Sequence, residues 1–380
     1  MKSYTSLLLT ALLFIPACQA KKESPDALIN SSDDSMYLLV GSYSKGETPG
    51  ISVYDFNLQN ADFKPVSEVK NVQNPSYLAV SPDKKMVYSV NENSQGAVSS
   101  FRFDKSTGTL SFVNSQATEG ADPCYINIDD KQNFLLTANY SDGNLSVFPL
   151  SDSGKILPLS QKIDFNDKND RRASHAHTVV FSPDYASVFA TDLGKDQITR
   201  FKINLTDINK LFLEKEVGTI TLEKGSGPRH IDFHPIKKFA YCINELSGKV
   251  TVFQYDAGKL TPIQYIASDT TTVSEKKGSA DIHVSPGGKF LYTSNRLQND
   301  GIAIFSIDSN SGLLTTVGYQ KTGIHPRNFI ISPNGKYLLC ANRDSNNIQI
   351  FSIDQQTGLL TGTGKEIQLR QPVCLKWVPK

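Results

Sequence analysis

From Tyr37 onward the chain is a succession of short apolar runs, rich in Val, Ile, Tyr and Phe, separated by polar turns. Runs of this length and composition predict β-strands. One unit recurs: an apolar strand, a Ser-Pro-Asp-like turn, a second strand, an Asn-bearing loop, a third strand and a Gly turn. It reads YLAVSPDKKMVYSVNEN from Tyr77, YINIDDKQNFLLTANYS from Tyr125, TVVFSPDYASVFATDLG from Thr178 and HIDFHPIKKFAYCINEL from His230. It returns as DIHVSPGGKFLYTSNRL from Asp281 and NFIISPNGKYLLCANRD from Asn328, and a seventh start, CLKWVPK, begins at Cys374. Helical signal is confined to Asp207 to Lys215, where a turn or two is expected.

The turn anchors Pro82, Asp130, Pro183, Pro235, Pro286, Pro333 and Pro379 stand 48, 53, 52, 51, 47 and 46 residues apart. A period near fifty, built of short strands, predicts an all-β, seven-bladed β-propeller with four-stranded blades. The seventh unit has a first strand and no remainder, while the N-terminal strands YLLVGSY, GISVYDF and FKPVSEV lack a first strand. Pairing the two ends completes a seventh blade and leaves no open sheet edge. The 380 residues would otherwise suggest two or three domains; the repeat predicts one, over 36–380. A single Trp cannot supply the Trp-Asp pair of a WD40 repeat in every blade.

The first 35 residues lie outside this pattern. Met1 to Ala17 carries Lys2 and then the apolar run Leu7 to Ile15, the shape of a secretory leader and too short for a membrane span of about 20 residues. It ends in Ile15-Pro16-Ala17-Cys18, which resembles a lipobox. The reading is a lipoprotein signal peptide over 1–17, lipidation of Cys18, and a flexible tether over 18–35. The protein is therefore expected to be exported and to touch a membrane through a lipid anchor alone. Cys124, Cys242, Cys340 and Cys374 sit in strand-like segments with no metal-binding spacing, and are expected as buried free thiols. No cofactor and no metal are expected.

With 39 Lys+Arg against 38 Asp+Glu, the net charge of +1 excludes the electrostatic footprint of a nucleic-acid binder. That balance hides an uneven distribution. In a four-stranded antiparallel blade, the entry to the first strand and the loop after the second lie at one end. Strand-one entries place Ser76, Cys124, His177, Arg229, Ala280, Arg327 and Val373 in one column. Nine residues after the anchor stand Asn91, Asn139, Asp192, Asn244, Asn295 and Asn342, a near-constant column best read as side chains bonding their own turns. The next column varies: Glu92, Tyr140, Leu193, Glu245, Arg296 and Arg343. Five of the six His, at 175, 177, 230, 283 and 325, also fall at strand-one entries. Arg229, Arg296, Arg327 and Arg343 thus converge on one end with Glu92 and Glu245. The polar loops Asp164 to Ser174 and Ser268 to Gly278 are placed to rim it. Clustered guanidiniums with carboxylates and an imidazole suit a small anionic ligand and proton transfer.

The segments HAHTVVFSPD, TDLGKDQI, GPRHIDFHP, YCINELSGKVTVF, ADIHVSPGGKFLYTSNR and HPRNFIISPNGKYLLCANRDSNNIQIF resemble the lactonase family of seven-bladed propellers, which includes the propeller type of 6-phosphogluconolactonase and carboxy-cis,cis-muconate cyclase. The resemblance covers Tyr37 to Lys380 and implies catalytic roles for His177, Arg229, Glu245 and Arg296, with Asp281 and His283 as neighbours. Arg327, Arg343 and Glu92 join these two as candidate substrate-binding residues. The expected activity is hydrolysis of a small anionic lactone or sugar-acid lactone, with His177 or Glu245 as base. An exported chain puts a phosphorylated sugar in question, so an unphosphorylated or carboxylate-bearing lactone stands beside it. Two other readings remain at this stage: a muconate-type lactonising isomerase, and a non-catalytic propeller binding a ligand or protein.

Overall fold

β1 (Ser35–Ser42), β2 (Ile51–Asn57) and β3 (Phe63–Val69) open the structure and wait for a fourth strand that arrives only at the end of the chain. That strand is β28 (Pro372–Pro379), antiparallel to β1 from Met36 opposite Pro379 to Gly41 opposite Cys374. The computed structural model describes residues 35–204, 212–272 and 277–380, with the backbone alone for 215–217. The expected leader, Cys18 and almost all of the tether lie outside the described residues, as do residues 207–211 of the expected helical turn. The end of that turn is a correction. Leu213 to Lys215 begin β15 (Leu213–Thr221), an outer strand paired with β14 (Gln197–Ile203), so ladder pairing overrides the local helical signal.

Twenty-eight strands form seven four-stranded antiparallel sheets, and no helix is present among the described residues. The first strands of the blades are β4 (Leu78–Val80), β8 (Pro123–Ile128), β12 (Ala176–Phe181), β16 (Pro228–Phe233), β20 (Ser279–Val284), β24 (Pro326–Ile331) and β28. Each touches the first strand of the next blade, and β28 touches β4. The seven-bladed ring is therefore closed, with its first strands around the axis. The core lies between blades. One apolar cluster joins Tyr241, Val252 and Leu291 to Phe305, and another joins Leu38 and Leu375 of the closing blade to Leu339 and Ile348. Trp377 secures the closure further by donating its indole N–H to the Ile331 carbonyl at 2.9 Å.

The Ser-Pro-Asp turn has a physical reason to repeat. Ser81 Oγ donates to Asp83 and accepts the Met86 N–H, and Ser182 and Ser332 do the same with Asp184 and Asn334. In the fourth repeat His234 takes over, its Nδ1 accepting the N–H groups of Ile236 and Lys237. This explains the one His at the opposite end as turn structure. The Gly turns have a different duty. Tyr88, Tyr241 and Tyr292, each on a second strand, donate their hydroxyls to the carbonyls of Gly154, Gly312 and Gly358 in the next blade. Gly312 has φ 71° and a Cβ there would meet Phe239 at 2.5 Å, so only glycine fits. The four described cysteines are buried and unpaired, as expected.

Candidate active site

Strand-one entries converge at the neck of the axial channel. Ser76, Tyr77, Cys124, Arg229, His230, Arg327, Asn328 and Val373 enclose a space of only about 10 Å³ there, room for one water. His177, on β12, is buried beside it with its ring 5.1 Å from that of His230.

Glu245 follows β17 (Phe239–Asn244) and Arg296 follows β21 (Phe290–Asn295), so adjacent blades aim these two side chains at one place. Arg229 Nε donates to Glu245 Oε2 at 2.8 Å, and Arg296 Nη2 pairs with Glu245 Oε1 at 3.1 Å. Two guanidiniums share one carboxylate, which leaves the pair one positive charge in excess. Burial alone raises the Glu245 pKa, but Arg296, Arg229 and Arg327 outweigh it and hold the carboxyl below its ordinary value. Glu245 is therefore ionised and claimed on both oxygens.

The remaining candidates fall into three places. Arg327 lies over the Tyr43 ring at 5.4 Å and reaches Glu92 at 3.4 Å, while Tyr43 donates to the other Glu92 oxygen at 2.8 Å. Arg343 sits on the rim, paired with Asp344 at 2.6 Å. Asp281, on β20, is 1% exposed and accepts from His230, Asn328, His283 and the N–H groups of Ile282 and Phe329. Its contacts are to the protein. His283, two residues further along β20, meets the same carboxylate at 3.1 Å. Of the two rim loops, the second reaches the site directly: the Gly278 carbonyl accepts from Arg296 Nε at 2.6 Å.

Sequence reasoning gave no role to His230, His325 and Asp344. His230 Nδ1 meets Asp281 at 2.7 Å and its Nε2 faces Arg229 Nη1 at 3.2 Å. His325 Nδ1 meets Asp344 at 3.3 Å and its Nε2 faces Arg296 Nη1 at 3.3 Å. The dipeptides Arg229-His230 and Arg343-Asp344 were the available signal, but their partners come from other blades. The Asn column is structural, with a correction. It ties neighbouring strands rather than only its own turn, as when Asn244 Nδ2 donates to Thr251 Oγ1 and Asn139 Nδ2 to Ser146 Oγ.

Each imidazole but one has a partner. His175 Nδ1 meets the Tyr140 carbonyl at 3.1 Å, and His230 and His325 meet carboxylates. His177 Nδ1 is buried with no hydrogen-bond partner, so no neighbour locks its tautomer. Burial, then Arg229 and His230, hold its pKa well below the ordinary value. Burial, then Arg229, bring His230 to about 4 against the pull of Asp281, and burial with Arg296 brings His325 to about 3. A histidine neutral in the fold must charge on unfolding, so its stability contribution is complete above pH 6.5 and falls as pH drops below it. His283 works in the opposite sense, its burial outweighed by Asp281, which raises its pKa. Three strongly lowered groups outweigh it. Urea unfolding at pH 7 and pH 5 is expected to show a loss of about 2 kcal/mol or more, at about 1.4 kcal/mol per unit and proton.

At the opposite end, a cavity of about 340 Å³ is lined by Tyr125, Asn127, Tyr185, Asp232, Phe233 and His234 among others. Its polar groups serve the backbone, Asp232 accepting from Val284 N and His234 from its turn. The described residues hold no cluster of three or more His, Cys, Asp or Glu fit for a metal ion.

Fold and site together define a closed seven-bladed propeller that gathers Arg229, Arg296, Glu245 and His177 at one end of its axis. The family model described as "Lactonase, 7-bladed beta-propeller" matches residues 37–377, and the chain belongs to that family. A chain of Formosa agariphila named 6-phosphogluconolactonase is 41% identical over 324 residues, 82% of this chain and 90% of the relative. A solved structure from Bacteroides fragilis is 49% identical with a TM-score of 0.86, covering 92% of this chain and 99% of that one. The periplasmic gluconolactonase of Pseudomonas aeruginosa is 32% identical with a TM-score of 0.85, covering 90% and 99%.

Proposed function

We propose that this chain is a lactone hydrolase that opens a small anionic sugar lactone at the mouth of the ring. The observation that carries the reading is the pairing of Arg229 and Arg296 on one carboxylate, beside an imidazole that nothing locks. Neutral His177 takes a proton from water, and the resulting hydroxide attacks the lactone carbonyl. The oxyanion forms against the unclaimed N–H groups of Arg229 and Arg296, which are fixed before the charge appears. As the ring C–O bond breaks, the His177 imidazolium returns its proton to the leaving alkoxide, giving the open hydroxy acid. Glu245, claimed on both oxygens, orients the arginines rather than acting as base. Arg327 has donors to spare for an anionic group of the substrate.

The names of the relatives support a sugar lactone, and one of them is periplasmic. That agrees with a leader over 1–17 and a lipidated Cys18, which we include in the proposal. The test is a panel of glucono-δ-lactone, 6-phosphogluconolactone and a muconolactone on the full chain. Hydrolysis of a sugar lactone is expected, in the membrane fraction for the natural chain and in the soluble fraction for Cys18→Ser. Isomerisation without hydrolysis, or no turnover on any of the three, would overturn it.

A further inference from the structure

Arg229 and Arg296 are held in the same way by unrelated parts of the chain. Arg229 gives Nε to Glu245, one Nη1 hydrogen to the Ala280 carbonyl at 2.5 Å and the other to His230 Nε2 at 3.2 Å. Arg296 gives Nε to the Gly278 carbonyl, Nη2 to Glu245 and Nη1 to His325 Nε2 at 3.3 Å. Each guanidinium therefore shares three kinds of anchor, one oxygen of the common carboxylate, a backbone carbonyl and an imidazole, and Arg296 reaches a second carbonyl, that of Ser279, at 3.5 Å. An imidazole nitrogen accepts only when it carries no proton. The hydrogen bond of His230 Nδ1 to Asp281 puts the proton on Nδ1 and leaves Nε2 as the acceptor; His325 Nδ1 lies 3.3 Å from Asp344, and since Arg296 Nη1 can only donate, its Nε2 accepts too.

The repeat does not produce this likeness. His230 stands five residues before its anchor Pro235, inside β16, whereas His325 stands eight before Pro333 and ahead of β24. His325 also takes a left-handed backbone, φ 62°, which is unusual for a residue with a side chain. Its backbone N–H is tied to Asp300 at 2.8 Å, and this holds the strained residue against Arg296.

We propose that His230 and His325 are positioning residues of the lactone-opening site: neutral acceptors, locked by Asp281 and Asp344, that aim Arg229 and Arg296, and whose protonation sets a second donor against each guanidinium and releases it. This rests on the functional reading above. The charged and titratable groups around His230 are Arg229, Asp281, His283, His177 and the rings of Tyr77 and Tyr125. Around His325 they are Arg296, Arg343, Arg327 and Asp344. Burial and the neighbouring arginines lower the pKa of both histidines, so both acceptors stay neutral through the physiological range and are lost in acid.

The test joins a spectroscopic and a kinetic readout on the full chain. Nitrogen NMR at neutral pH is expected to show His230 and His325 as Nδ1–H tautomers, with slowly exchanging guanidinium protons on Arg229 and Arg296. An Nε2–H tautomer at either histidine would overturn the proposal, whether or not any lactone is turned over. In kinetics, His325→Ala is expected to lower kcat/KM about tenfold, mainly through kcat. His325→Gln, whose amide oxygen accepts and does not titrate, should recover to within about threefold. A Gln variant as impaired as the Ala variant would sink the positioning role. Should the natural chain open no lactone while the tautomers stand as expected, the functional reading fails and the hold on the arginines remains.

Discussion

His177→Ala is expected to lower kcat/KM for the lactone about 10²- to 10⁴-fold, the usual contribution of a positioned acid or base, with little change in KM. The imidazole is buried, unpaired at Nδ1 and bounded by the rings of Tyr140 and His230 at 5.7 and 5.1 Å. Removing it takes away a proton acceptor without freeing a buried charge, so the fold should tolerate the change. The pH profile provides an independent check. A base with a lowered pKa stays competent as pH falls through 6.5 and fails only when protonated well below it. Full activity in the variant, or an acid limb at or above pH 6.5 in the natural chain, would show that another group moves the proton.

Glu245→Gln is expected to damage both rate and stability, for one reason. The substitution keeps the shape and removes the negative charge shared by two buried guanidiniums. Breaking a buried pair costs roughly 3–5 kcal/mol; the Glu245 side chain is 23% exposed, which argues for about 3 kcal/mol. Denaturant unfolding should read that loss. Loosened arginines should lower kcat about 10²-fold or more, the scale of one lost oxyanion donor. The residual activity should keep the His177-controlled acid limb. Were Glu245 the base, that limb would vanish with the same loss of stability, so the pH profile separates the two assignments.

The fold was legible in the residues because a propeller repeats its instructions locally. Ser81, Ser182 and Ser332 close the same turn with the same bonds, and the ends of the chain showed complementary gaps that β28 and β1 fill. The site was legible in part, for the same reason. A column counted from the turn anchors is a layer in the ring, so His177, Arg229, Glu245 and Arg296 could be assigned to one end before any coordinates. The end of the expected helical turn failed where that logic was absent, since Leu213 to Lys215 answer to the neighbouring strand rather than to their own sequence.

What the chain alone determined, then, was the number of blades, how the ring closes and which side chains share its charged end, all of which follow from local spacing. The tertiary structure alone decided who pairs with whom. That Glu245 is spent on two arginines, that His177 has no partner, and that Asp281 reaches back 51 residues to His230 depend on distances across the axis. Those distances are set by how seven blades pack into one ring, and no local pattern encodes them.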